Sequence, residues 1–199
     1  MQAFNTLTRE AWRGYQCDTF PEGSWVSEGE RLRTVAEAAR IDLITRHQYR
    51  HFALALEWRV ASGGNSGILY RVSEALPHAW QSGLEMQLLD DARHPDGQIP
   101  ETSAGALYRL IAPRQQVLRP IGSFNTARIV VRDSHVEHWL NKVLVVAYDL
   151  HSAAFAALVA HSKFQGLPGF AREARGHIAL QHHGAVVWFR HLHIHPLPD

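Results

Sequence analysis

Large apolar residues recur at every second position through short runs of this chain, a period that belongs to half-buried β-strands. In Phe52–Val60, Phe52, Leu54, Leu56, Trp58 and Val60 fall on one face and Ala53, Ala55, Glu57 and Arg59 on the other. Ser62 to Gly67 reads as the turn that breaks this strand, with Ile68 to Val72 returning. Leu84, Met86 and Leu88 alternate with Glu85 and Gln87, and Asp90 to Ile99 follows as a polar loop. Ala104 to Ile111 reads as a short strand ended by Pro113. Asn125 to Arg132, His135 to Leu140 and Val143 to Tyr148 form a meander with turns at Asp133-Ser134 and Asn141-Lys142. His177 to His182 and Ala185 to His195 close the chain. Two stretches read as helical: a short one over Arg33 to Arg40, and an alanine-rich excursion over residues 150–163. Many short strands between turns predict an all-β sandwich or barrel, and pairing of the first strands with the last suits a jelly roll.

At 199 residues the expectation is one domain spanning 1–199, large enough to bury a core without covalent staples. Cys17 is the single cysteine, which excludes an internal disulfide and a multi-thiolate zinc site. A net charge of +1 without a Lys/Arg run argues against a nucleic-acid partner. No stretch reaches the roughly 18 apolar residues of a membrane span. The compartment stays open: periplasmic or secreted if a leader has been removed, cytoplasmic otherwise. The sequence does not specify an oligomeric state.

Four groups of residues carry chemical interest. Glu85 and Gln87 leave the same strand face, where a carboxylate and an amide offer the planar donors and acceptors that sugar hydroxyls need; a solvated polar face would look the same. Asp90, Asp91, His94 and Asp96 crowd one loop, a composition fit either for a hard cation or for Asx-capped turns. Fourteen histidines include His182 and His183 at a turn, and His191, His193 and His195 alternating on one strand near the chain end, a face fit for zinc or another transition metal or, as the plainer reading, a polar edge. The glycines around Asn65 precede a strand rather than a helix, so they read as a tight turn and not a phosphate cradle.

Several strings resemble one family in the same order. They are Gly64-Asn65-Ser66-Gly67-Ile68, Glu85-Met86-Gln87-Leu88-Leu89-Asp90, His94-Pro95-Asp96-Gly97 and Ala104-Gly105-Ala106-Leu107-Tyr108. Phe124-Asn125-Thr126-Ala127-Arg128, the run His135 to Asn141, Gly176 to Gln181 and Val187-Trp188-Phe189-Arg190 continue the series, and Phe4-Asn5 with Trp12 opens it. The family is the 3-keto-disaccharide hydrolases, of the concanavalin A-like lectin/glucanase group, and the resemblance runs from about Phe4 to Leu197.

The resemblance implies a concanavalin A-like jelly roll of two antiparallel sheets with a carbohydrate site on the concave one. It also implies substrates that are glycosides already oxidised to a ketone at C3. The ketone acidifies the C2 proton; a base removes it, the enediolate expels the C1 substituent, and water then adds to the enone. On this chain the implied catalytic residues are Glu85, His94 or His183 as base and Tyr108 as donor to the leaving oxygen. Asn65, Gln87, Asp90 and Gln181 are the implied sugar contacts. Arg71 or a metal would hold the enediolate. A divalent metal ion is the one cofactor left open, with Asp90, His94 and His182 as candidate ligands. Trp80 is a candidate stacking platform, and the segment Leu150 to Ala174 is placed along one edge of the groove. Two positions depart from the family pattern: His182 stands where Asp is usual, and Lys142 where Gly is usual in a hairpin turn. The alternative is a non-catalytic carbohydrate-binding module on the same fold.

Overall fold

The computed structural model describes residues 5–198; Phe4, part of the opening motif, lies outside the described residues. Thirteen strands occur among them: β1 (Asn5–Thr6), β2 (Trp12–Gly14), β3 (Trp25–Glu28), β4 (Arg31–Thr34), β5 (Leu43–Thr45), β6 (Phe52–Val60) and β7 (Asn65–Val72), then β8 (Leu84–Leu89), β9 (Asn125–Arg132), β10 (His135–Leu140), β11 (Val143–Asp149), β12 (His177–Leu180) and β13 (Val187–Pro196). One α-helix, α1 (Ala153–Ala160), sits in the expected excursion, its first turn capped by Ser152 Oγ, which accepts from the Phe155 amide at 3.1 Å.

The strands form two antiparallel sheets. The larger runs β11-β10-β9-β6-β13-β4-β3, with β1 also on β13; the smaller runs β2-β5-β12-β7-β8. The pairing of the first strands with the last is realised twice on β13, where β1 meets Thr6↔His193 and β4 meets Leu32↔Phe189. This is a jelly-roll sandwich. The core between the sheets takes alternate residues of each strand, among them Phe52, Leu54, Trp58, Ile68, Tyr70, Met86, Leu88, Ile129 and Phe189. Full burial of one such side chain stabilises the fold by roughly 1.5–3 kcal/mol. Trp12, Trp25 and Trp58 are wholly buried, so half of the chain's six tryptophans serve the core rather than a ligand.

Several boundaries differ from the sequence expectation. The turn after β6 ends at Gly64, and Asn65, Ser66 and Gly67 already belong to β7, paired with Leu89, Leu88 and Gln87 of β8. Ala104 to Ile111 is not a strand but a compact loop that forms one isolated β-bridge to β8, Met86↔Leu107. The stretch Arg33 to Arg40 is not helical: Arg31–Thr34 is β4, which pairs with β13 and β3, and cross-strand partners outweigh its weak helical propensity. His191, His193 and His195 lie not on an edge strand but on β13 in the middle of the larger sheet, where a bulge with His191 at φ 52° interrupts the pairing with β6. Asn141 and Lys142 both take positive φ, 49° and 70°, as the hairpin turn requires.

A polar network crosses the core. The Gly105 carbonyl fixes the proton of His138 on Nδ1, at 3.2 Å, so Nε2 accepts from Tyr70 Oη at 2.8 Å, and Tyr148 Oη donates to Tyr70 Oη at 2.6 Å. Burial drives the His138 pKa down to about 4, so the ring stays neutral. The network ties β7, β10 and β11 to the loop that carries Tyr108.

Candidate active site

The outer face of the smaller sheet has an apolar half and a polar half. Ile44, Leu69, Val72 and Ala179, with Ala79, form a small second core beneath Tyr15 and Trp80. Along the same strand faces the chain turns polar: Asp42 precedes β5, Gln181 follows β12, Asn65 and Gly67 open β7, and Glu85 and Gln87 stand on β8. Alternation dictates this placement, since each lies an even number of residues from an apolar outer-face residue of its own or a paired strand. These polar side chains line a cleft of ≈ 380 Å³ with Arg40, His78, Trp80, Tyr108, Lys163, His182 and His183.

The face is not a solvated one. Glu85 is 7% exposed and Gln87 1%. The 103–108 loop covers them by bonding along β8: the Tyr108 amide donates to the Glu85 carbonyl (3.0 Å), the Gln87 amide to Ala106 (3.1 Å), and the Gly105 amide to Gln87 (2.8 Å). Gly67 leaves room for the carboxyl, because a Cβ there would lie 2.2 Å from Glu85 Oε1. That close approach, rather than a turn, is what the glycine supplies. Burial raises the Glu85 pKa to about 8; the Lys163 charge opposes this, and Asp42 and Asp96 reinforce it. Among the described residues Asn65 Oδ1 and Gln87 Oε1 are buried without a protein partner, an arrangement that costs stability unless a ligand or water completes it.

The rest of the rim is ionisable. Asp42 Oδ1 accepts from the His182 amide at 2.8 Å, and burial raises its pKa to about 6. It brings a carboxylate beside position 182. Loss of water around the ring, then the Arg40 and His94 charges, lower the His183 pKa, which favours the neutral imidazole. Burial raises that of Tyr108, whose hydroxyl points at Asp96 Oδ2, 3.5 Å away. Trp80 stacks parallel to His78, with ring centroids 6.2 Å apart.

Three expected residues are absent from the cleft. Asp90 is an odd number of residues from Glu85 and Gln87, so it leaves the opposite face. There it accepts from the Gly63 amide (2.8 Å) and the Ala92 amide (3.2 Å), stapling two turns. Arg71 shares parity with Asn65, Gly67 and Leu69, but its own φ of 56° marks a bulge that turns the side chain away, and Nη2 donates to the Asp133 carbonyl of the β9–β10 turn at 2.6 Å. His94 is not a lining residue: its Nδ1 accepts from the Asp96 amide at 3.1 Å and caps a short 3-10 turn. His182 lines the cleft with both ring nitrogens engaged, Nδ1 accepting from the Gly184 amide and Nε2 donating to the Val35 carbonyl. The metal candidates Asp90, His94 and His182 therefore do not converge, and among the described residues no three His, Cys, Asp or Glu side chains come together as ligands.

Arg40, Asp42, His78 and Lys163 were not singled out by sequence. Lys163 arrives from the excursion after α1, which is docked by Phe155 against Tyr148 (5.3 Å) and by the Ala171 amide donating to Ser82 O (2.9 Å), and is braced internally by the Phe164–Phe170 stack (3.9 Å).

Residues 2–195 match the family described as the 3-keto-alpha-glucoside-1,2-lyase-like domain. A 3-keto-disaccharide hydrolase from Bacteroides thetaiotaomicron is 31% identical over 221 residues, covering 96% of this chain and 76% of the relative. Among solved structures, a protein from Parabacteroides distasonis described as a candidate glycosyl hydrolase superposes with a TM-score of 0.90 at 23% identity, covering 98% of this chain and 94% of that one. A carbohydrate-binding module from Bacillus subtilis superposes at 0.56 with 10% identity, covering 92% and 94%. The two structural likenesses establish the fold.

Proposed function

We propose, because the chain belongs to the family of 3-keto-α-glucoside-1,2-lyase-like domains, that its cleft takes a glycoside bearing a ketone at C3 and breaks the bond at C1. Family membership supports glycoside-hydrolase activity; the keto substrate and the chemistry are the proposal. The supporting observation is the buried Glu85 carboxyl, which makes no hydrogen bond among the described residues and has a pKa of about 8. A base is most effective when its pKa lies near the working pH.

In this reading Glu85 removes the proton from C2, the C–H electron pair becomes the C2=C3 double bond, and the C3 oxygen takes up negative charge. The enediolate then collapses and expels the C1 oxygen, which accepts a proton from Tyr108, a phenol that burial keeps protonated. Water adds to the resulting enone and gives the 3-keto sugar. This route avoids the oxocarbenium ion that paired carboxylates stabilise in ordinary glycosidases. Asn65 Oδ1 and Gln87 Oε1 accept from sugar hydroxyls, Gln181 adds a further amide, and Trp80 offers its face to the ring. His183 is the second candidate base. Asp90, His94 and Arg71 have no part in it.

A binding module on this fold would present aromatic platforms over few ionisable groups. The density of Glu85, Asp42, His183, Tyr108 and Lys163 in one cleft favours the enzyme. The test is release of 4-nitrophenol from 4-nitrophenyl 3-keto-glucoside and from the unoxidised glucoside, with and without a chelator. Release from the keto substrate alone is expected; sugar binding without release from either would establish the module instead.

A further inference from the structure

The reaction proposed above needs a group to receive the charge that develops on the C3 oxygen; Arg71 faces away from the cleft, and among the described residues no cluster of metal ligands stands at it. One cation does stand there against aromatic rings, although its side chain, like that of Arg40, is exposed. The Lys163 ammonium nitrogen lies 4.5 Å from the Tyr108 ring centroid, 5.0 Å from Trp80 and 5.1 Å from Phe164. Electron-rich ring faces hold an ammonium in place without neutralising it. Among the described residues Lys163 makes no direct ion pair; the charges it feels are Glu85, Arg109 and Asp96. Arg40, the other cation lining the cleft among the described residues, lies against Gly184 beside the two rim histidines and is not among the charges that act on Glu85.

Position relative to the base matters as much as charge. C2 and the C3 oxygen of one sugar are two bonds apart, so the base and the oxyanion donor must be neighbours. Of all charges, Lys163 acts most strongly on the Glu85 carboxyl. Tyr108, the donor to the leaving oxygen, forms one wall of the lysine's aromatic cage.

We propose that Lys163 is a catalytic residue whose ammonium donates to the C3 oxygen of the enediolate, supplying from the helical excursion the positive charge that the elimination requires. This rests on the 3-keto reading of the cleft. As Glu85 takes the C2 proton, the C–H electron pair moves into C2=C3 and the carbonyl electron pair onto oxygen, where the ammonium meets it. As the C1–O bond breaks, that charge returns to the carbonyl and Lys163 keeps its proton throughout. A preorganised donor aimed at developing charge contributes more than a donor that must first reorient in solvent.

The experiment compares wild type, Lys163→Met and Lys163→Arg in two assays: 4-nitrophenol release from 4-nitrophenyl 3-keto-glucoside, and exchange of the C2 proton of free 3-keto-glucose in D2O followed by NMR. Lys163→Met should lose about 10²–10³-fold in both, while the dissociation constant for 3-keto-glucose changes less than about threefold. Lys163→Arg, which keeps the charge, should recover about tenfold or more of that loss. The inflection of kcat/KM against pH should also move upward in Lys163→Met, since ionised Glu85 loses its strongest favourable charge while Asp42 and Asp96 remain; a lysine that only tunes the base would shift this inflection yet leave the rate on the high-pH plateau intact. Full plateau rates in Lys163→Met, whether or not the inflection moves, would overturn the assignment and leave the 3-keto reading standing. Wild type that neither releases nor exchanges would overturn both.

Discussion

Replacing Glu85 by Gln should make the protein more resistant to alkaline conditions while abolishing activity. The native carboxyl titrates at about 8 instead of the ordinary 4.5 because it is buried. Between those values the folded chain holds a proton that the unfolded chain has released. This contribution to stability is complete below the unfolded value and is lost as pH rises through the folded one. The loss is about 1.4 kcal/mol for each pH unit inside the window, which amounts to about 4 kcal/mol between roughly pH 5 and pH 9. The side chain is 7% exposed, so solvent screening takes little from that figure. Gln fills nearly the same volume and does not ionise. Urea unfolding of both proteins across this range gives the difference directly, and titrations common to both, such as that of Asp42, largely cancel. The gap in favour of the variant should widen steadily with pH. Parallel curves, differing by less than about 1 kcal/mol over the range, would show that the carboxyl ionises normally and would remove the physical basis for its role as base.

Gly67→Ala should disable the enzyme while leaving the fold intact: the new Cβ would sit 2.2 Å from Glu85 Oε1 and 2.7 Å from Cδ, and forcing the carboxyl aside should cost about 10²-fold in kcat with little shift in the thermal midpoint. With Glu85 as base, kcat/KM should climb through the neutral range and level off above its pKa of about 8; a profile that instead falls above that point would make Glu85 the acid. Asp90→Ala should lower stability by about 1–3 kcal/mol by freeing two turn amides, and calorimetry should find its sugar affinity unchanged, because the side chain lies outside the cleft. Added divalent cations should leave the thermal midpoint of wild type where it is, as expected if Asp90, His94 and His182 hold their turn and cap bonds instead of a metal.

Much of this architecture was legible in the chain. Alternation assigned β6, β8, β9 and β10 nearly to the residue, because one face of each strand is committed to the core and register is thereby fixed. The same rule placed Glu85 and Gln87 together on the other face, and the ordered motifs pointed to the family and to the cleft residues Asn65, Tyr108, Gln181 and His183. Parity could also have removed Asp90, which is an odd step from Gln87. Nothing local announced the bulge at Arg71, since a reversal of facing there depends on how β12 and β7 register across the sheet. Nor did the sequence mark Asp42 or Lys163. Asp42 lies 43 positions before Glu85 and Lys163 lies 78 after it, and each reaches the cleft only because distant strands and the docked excursion fold over the smaller sheet. The strand pattern is a local property of backbone geometry and was written in the chain. The pKa of Glu85, and the charges that surround it, arise from desolvation and from neighbours remote in sequence, so they exist only once the tertiary structure has closed.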